Sequence, residues 1–142
     1  EFQRCLEHTA TGDIHMRSPP SKPRLSVVMI AHNEARRIRR SLGSVHDIAR
    51  EIILVHNDCT DDTVKIAKEE FDAQTREHEW HGHRDQKNIA LKYATKPWVL
   101  CLDADEEVST ELKESLINFI EKNRVSSCTY FFFSFLENIP YN

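Results

Sequence analysis

From Leu25 onward, short apolar runs alternate with stretches of helical period, and this alternation restricts the fold more than any other feature of the chain. LSVVMIA (25–31), EIILVH (51–56) and WVLCL (98–102) have the length and unbroken apolar character of strands buried on both faces. The first two are separated by NEARRIRRSLGSV, in which Ile38, Leu42 and Val45 form one apolar stripe and the arginines occupy the wet face. TDDTVKIAKEEF predicts a second helix on Val64, Ala67 and Phe71, with Thr60 or Asp61 as its cap. DAQTREHEW holds a short strand. DQKNIALKYA predicts a third helix, with Ile89 and Tyr93 facing inward and Pro97 as its stop. Ser109 caps a fourth helix striped by Leu112, Leu116, Phe119 and Ile120, and CTYFFFSFL reads as a last strand. Strands alternating with helices imply parallel pairing through right-handed crossovers, so the expected fold class is an α/β sandwich.

The chain has 142 residues, enough for one domain with a core of its own. Glu1 to Arg24 lacks a hydrophobic period, and RSPPSKPR carries three prolines in eight residues, so 1–24 reads as a linker or a fragment of a preceding region and 25–142 as the domain. The opening Glu1, and the end at Asn142 just after an apolar run, suggest a fragment truncated at its C-terminus. A net charge of −4 argues against nucleic acid as the main partner. No apolar run approaches the roughly 20 residues of a membrane span, and no signal peptide is visible. Cys5, Cys59, Cys101 and Cys128 form no C-x-x-C pair, which suits reduced thiols in the cytoplasm.

In parallel α/β sheets, ligands sit beyond the carboxyl ends of the strands. That rule selects His32-Asn33-Glu34, His56-Asn57-Asp58 and Asp103-Ala104-Asp105. The last is the sharpest. Two carboxylates at i and i+2 can point to the same side of a strand end. Unpaired, they would repel, and one would take up a proton. A hard cation such as Mg²⁺ or Mn²⁺, which uses one or two carboxylates plus substrate phosphates, removes that conflict. D-x-D is also a common surface triplet, and it is the apolar strand before it that favours a site. Gly12, Gly43 and Gly82 are the only glycines, so neither G-x-G-x-x-G nor a Walker loop is present. Phosphates must then be held by metal and side chains.

LSVVMIAHNEARRIRRSLGSV, EIILVHNDCTDDTVKIAKEEF and HEWHGHRDQKNIALKYATKPWVLCLDADEEVSTEL together resemble the nucleotide-sugar-binding half of a family 2 inverting glycosyltransferase of the GT-A fold. The similarity is to the bacterial β-glucosyltransferases that extend the lipopolysaccharide core, and it covers about Leu25 to Leu116. It implies a three-layer α/β/α sandwich with a mostly parallel central sheet. The resemblance also implies donor-binding roles for Ala31, Asn33 and Glu34 after strand one, for His56 and Asp58 after strand two, and for Gln86, Lys87, Asp103 and Ala104 around the diphosphate and sugar. Asp103 and Asp105 are the implied metal ligands. The implied partners are a UDP-linked sugar donor and a saccharide or glycolipid acceptor, in a protein that is cytoplasmic or peripheral on the inner face of the membrane. One departure stands out: His56 occupies the place where Asp is commonest in the family, and Asp58 the place of Gly, which leaves open which of the two meets the base.

His78, His81 and His83 crowd one loop, yet their spacing matches no standard zinc module. The resembling sequences carry His and Trp at the positions of His78 and Trp80, so the loop is expected across the donor site. Inversion needs a general base on the acceptor side. The resemblance puts it in a later segment, and no candidate precedes Asn142, so catalytic residues are unassigned. A nucleotide-sugar-binding or degenerate domain without transfer activity is the main alternative. A D-x-D phosphatase would place its pair near the first strand, with Thr or Val where Glu107 stands. A nucleotidyltransferase would need glycines in AHNEARR.

Overall fold

The computed structural model describes residues 7–8, 14–15 and 21–123. Two two-residue strands, β1 (Glu7–His8) and β2 (Ile14–His15), pair antiparallel within the segment expected to be a linker. The domain proper runs β3 (Leu25–Ala31), α1 (Ile38–Gly43), β4 (Glu51–His56), α2 (Thr63–Phe71), β5 (Gln74–Glu77), α3 (His83–Tyr93), β6 (Trp98–Cys101) and α4 (Thr110–Lys122). The expected strand in CTYFFFSFL lies outside the described residues.

The four longer strands form one parallel sheet in the order β5-β4-β3-β6. Strand alternation splits the core into two layers. Leu25, Val27, Met29, Ile52, Leu54 and Leu100 pack with Ile38 and Leu42 of α1, Ile66 and Ala67 of α2, and Leu116 and Ile120 of α4. Val28, Ile53, Val55, Val99 and Cys101 face the other way, onto Ala90 of α3, with Ile89 and Tyr93 partly buried beside it. The fold class is therefore α/β, with helices on both faces of a parallel sheet.

Local expectations fared unevenly. Ile38, Leu42 and Val45 are fully buried, as their spacing predicts. Ser109 caps α4 by accepting the Leu112 N–H at 3.2 Å. On α2, Ile66 rather than Val64 joins Ala67 in the core, because the helix starts at Thr63 and is rotated from the assumed phase. Its N-cap is Asp62, whose side chain makes no capping bond. Asp61, one residue earlier, accepts the Thr63 N–H at 3.0 Å instead. On α3 the fully buried positions are Gln86 and Ala90, while Ile89 and Tyr93 flank them. A polar residue on the inner face defeats a reading based on hydrophobic period.

Register decides what meets at the carboxyl edge. Ala31 lies beside His56, and Val28 beside Cys101. Leu102 extends the last pairing by donating to the Val28 carbonyl at 3.1 Å. Asp103 thus emerges next to the end of β3. Because α3 runs back over the sheet, its N-terminal turns lie at the same edge.

Candidate functional site

A cleft of about 590 Å³ opens at the carboxyl edge of the sheet. One wall is Ile30, Ala31, His32 and Glu34, from the end of β3 and its loop. Asn57 comes from the loop after β4, and Asp103, Ala104 and Asp105 from the turn after β6. Trp80 and His83, from the loop entering α3, complete it, their rings meeting edge to face at a centroid distance of 4.8 Å. Trp80 is 43 % exposed, a large apolar surface left open beside polar walls.

Of the residues singled out from sequence, Ala31, Glu34, Asp103, Ala104 and Asp105 line this cleft. Asn33 and Asp58 do not; they shape the loops. Both adopt left-handed backbone, with φ of 50° and 41°, a conformation Asn and Asp tolerate better than most residues. Asn33 Oδ1 accepts the Thr60 N–H at 2.8 Å and the Asp61 N–H at 3.3 Å, tying the loop after β3 to the loop after β4. Asp61 returns the tie by accepting the Ala35 N–H at 3.1 Å. Burial alone would push the Asp61 carboxyl up, but bonds from Thr63 and Ala35 outweigh it and hold it below the usual carboxylate range.

His56 ends β4 and does not line the cleft. Its ring Nδ1 is buried without a hydrogen-bond partner. Burial pushes its pKa down, a pull that nearby Glu77 only partly opposes and His78 reinforces. Neutral imidazole is thus favoured there. The neighbouring position takes the open place instead: Asn57 reaches the cleft, and its carbonyl accepts from His32 Nδ1–H at 2.7 Å. His32 and Asn57 were among the strand-end residues, though no motif marked them. The only sequence signal for either was that position.

Gln86 is 1 % exposed, with Oε1 lacking any hydrogen-bond partner and Nε2 reaching only the His78 carbonyl at 3.4 Å. Lys87, one residue on, pairs with Asp103 at 2.9 Å from Nζ to Oδ1. This corrects the expectation of two unpaired, mutually repelling carboxylates: one of them already has a cation from α3. Asp105 is exposed and makes no ion pair among the described residues. Glu106 braces the turn, its carboxylate accepting the Asp103 N–H at 3.0 Å, and Glu107 pairs with Arg40 at 3.2 Å. Burial pushes the adjacent Cys101 thiol up to about 11, with Lys87 pulling it down and Asp103 pushing it further up.

The three loop histidines are engaged separately. His78 Nε2 lies 2.8 Å from the Tyr93 hydroxyl, His81 is 3.7 Å from Glu79, and His83 meets Trp80. Three arginines in and just before α1 are also paired: Arg37 with Glu34, Arg39 with Glu70 and Arg40 with Glu107. No helix among the described residues is long and apolar enough to cross a membrane.

A parallel α/β domain with acidic residues at its carboxyl edge can belong to many lineages. Residues 26–141 match glycosyl transferase family 2, and the chain belongs to that family. It is 43% identical over 93 residues to an uncharacterized glycosyltransferase of Rickettsia prowazekii (strain Madrid E), a match covering 66% of this chain and 32% of that protein. It is 37% identical over 93 residues to the glycosyltransferase SunS of Bacillus phage SPbeta, covering 64% of this chain and 22% of the relative. A match of 31% identity over 96 residues reaches the lipopolysaccharide core biosynthesis glycosyltransferase LpsC of Rhizobium meliloti (strain 1021), with 65% and 35% covered. The chain thus spans about a third of the length of the rickettsial relative. Among solved structures, glucosyl-3-phosphoglycerate synthase of Mycobacterium tuberculosis, in complex with Mn²⁺, UDP and glucosyl-3-phosphoglycerate, aligns at a TM-score of 0.49 and 21% identity, over 60% of this chain and 36% of that one.

Proposed function

We propose that this chain is the donor-binding part of a glycosyltransferase that moves a sugar from a nucleoside diphosphate, UDP in the first instance, to an acceptor hydroxyl with inversion. The observation that carries the reading is the convergence of three strand-end loops on one cleft whose wall includes Asp103 and Asp105, in a chain of family 2. The LpsC relative favours a saccharide or glycolipid acceptor of the cell surface, which suits a protein working at the cytoplasmic face of the membrane.

The donor set fits a hard divalent cation. Asp103 and Asp105 offer only oxygen ligands, and Asp105 carries no competing ion pair among the described residues. Mg²⁺ or Mn²⁺ held there would offset the charge of a leaving diphosphate. The remaining tasks fall to the chain itself. Trp80 offers an apolar face to the flat or apolar side of the donor. Glu34 and Asn57 give the opposite wall its polar groups. Ser41 and Glu106 fix the backbone of Asp103, donating to its carbonyl and accepting its N–H, so that the carboxylates are preorganised. No residue of this chain is assigned as the base that deprotonates the acceptor.

Calorimetric titration of UDP with and without Mn²⁺ tests the reading. Binding should depend on the cation, and equal affinity in both conditions would overturn the metal-bridged donor site.

A further inference from the structure

We infer that Lys87 acts as a stand-in cation at Asp103, so that the divalent metal and the diphosphate enter the site together rather than independently. The inference rests on the donor-site reading above and goes beyond it by assigning an exchange between two states. Lys87 Nζ sits 2.9 Å from Asp103 Oδ1, with the two side chains 33% and 32% exposed. They come from different elements of the domain, Lys87 from the second turn of α3 and Asp103 from the turn after β6.

A structural role for this pair is poorly supported by what surrounds it. Asp103 is already held by its backbone: Ser41 Oγ donates to its carbonyl at 3.1 Å, the Glu106 N–H does so at 3.0 Å, and its own N–H donates to Glu106 at 3.0 Å. The turn therefore has its position without Lys87. Nor does α3 depend on the contact, since Gln86 and Ala90 seat it against the sheet. An ion pair about one-third exposed is still partly screened by solvent, which limits what it adds to stability. What Lys87 does supply is a positive charge at an oxygen that a metal would need.

The consequence is electrostatic. A bare divalent cation approaching Asp103 meets the ammonium as a like charge and must displace it into solvent with no new anion to receive it. A diphosphate arriving with the metal provides that anion. Lys87 can then swing from carboxylate to phosphate as the metal takes its place on the carboxylate. A long, flexible ammonium side chain suits such a transfer, because it is a point charge with no fixed fork geometry to lose. Each ligand thereby raises the affinity of the other, a reciprocal coupling.

The test is Mn²⁺ binding by the full chain, titrated by electron paramagnetic resonance alone and with saturating UDP, for the wild type and Lys87→Met. The wild type should bind Mn²⁺ weakly alone and about tenfold or more tightly with UDP, and Lys87→Met should bind Mn²⁺ alone about tenfold more tightly while losing most of the enhancement. Unchanged or weaker binding of Mn²⁺ alone by Lys87→Met, with wild-type Mn²⁺-dependent UDP binding intact, would overturn the exchange and spare the donor site. Absence of UDP binding by the wild type would remove both. A measurement on the unaltered chain guards against a variant that fails to fold. The ¹⁵Nζ resonance of Lys87 should move on addition of Mg²⁺ with UDP and stay in place with Mg²⁺ alone, and movement with Mg²⁺ alone contradicts the inference.

Discussion

The two edges of the sheet are both polar, yet they are built in opposite ways. At the amino edge, Glu51 accepts from Ser26 Oγ at 2.5 Å, from the Thr95 N–H at 2.6 Å and from Thr95 Oγ1 at 2.8 Å, while Ser26 Oγ also accepts the Lys96 N–H at 3.1 Å. This cluster ties the starts of β3 and β4 to the loop before β6, and its bonds close on one another. At the carboxyl edge the loops are tied by Asn33 and Asp61, but other groups lack partners: Asp105 on the cleft wall makes no ion pair among the described residues, and the buried His56 Nδ1 and Gln86 Oε1 make no hydrogen bond. Buried polar atoms without partners cost stability, so a fold keeps few of them. The closed edge is architecture, and the open edge is where a ligand has something to satisfy.

The strongest way to break that comparison is Asp105→Asn. It removes a charged oxygen ligand from the open edge, so metal-dependent UDP affinity should fall about tenfold to hundredfold. Thermal unfolding should be nearly unchanged, because Asp105 makes no ion pair among the described residues. Full retention of metal-dependent binding, or a large fall in melting temperature, would show that the carboxyl edge is architecture too. Asp103→Asn is the less clean variant, since it also breaks the pair with Lys87.

The mirror-image change is Glu51→Ala. Burial raises the cost of charging this carboxylate, but hydrogen bonds from Ser26 and Thr95 and the nearby Lys96 outweigh it and leave the pKa below the ordinary range. Losing an acceptor of several charge-assisted bonds should destabilise the domain by about 2 kcal/mol, a figure discounted for partial exposure. Chemical denaturation measures it, and calorimetry should find UDP affinity within about twofold of the wild type. A selective loss of UDP binding with stability intact would reverse the assignment of the two edges.

How much of this was readable from sequence differs between the edges for a physical reason. Strands β3, β4 and β6 were legible because each is buried on both faces, and an unbroken apolar run of that length has few other uses, whereas β5 is mostly exposed. The carboxyl edge was legible in outline, since chain direction alone puts 32–34, 56–58 and 103–105 on the same side of a parallel sheet. Its details were not. Asn33 and Asp58, singled out as ligands, do not line the cleft and adopt left-handed backbone in its loops, a conformation for which residue type was the one available hint. The contact between Lys87 and Asp103 depends on how α3 crosses the sheet, and no local pattern encodes a crossing. Gln86 was expected at the donor yet turns inward, where period analysis anticipates apolar residues. The Ser26, Glu51 and Thr95 cluster escaped notice altogether, because three unremarkable polar residues become a network only when register brings them together.

The smallest effect expected is a difference in acid sensitivity between the edges. Burial lowers the pKa of His56 in the folded chain, so the unfolded chain takes up its proton first as the pH falls. The stability that depends on neutral His56 is therefore complete above about pH 6.5, the ordinary histidine value, and declines below it until the lowered native pKa is passed. Glu51 is also lowered, but from the carboxylate range. Its contribution is complete above about pH 4.3 and is lost only as the pH falls through its lowered native value. The open edge should thus weaken first on acidification and the closed edge later. Melting temperatures of wild type and His56→Asn, followed from pH 7.5 to 5, measure the first window. The wild type should lose more stability than the variant across it, because the variant has no imidazole to charge. Parallel curves would mean that protonated His56 is accommodated as easily as the neutral form, and that the unpartnered Nδ1 gives the carboxyl edge no acid sensitivity of its own.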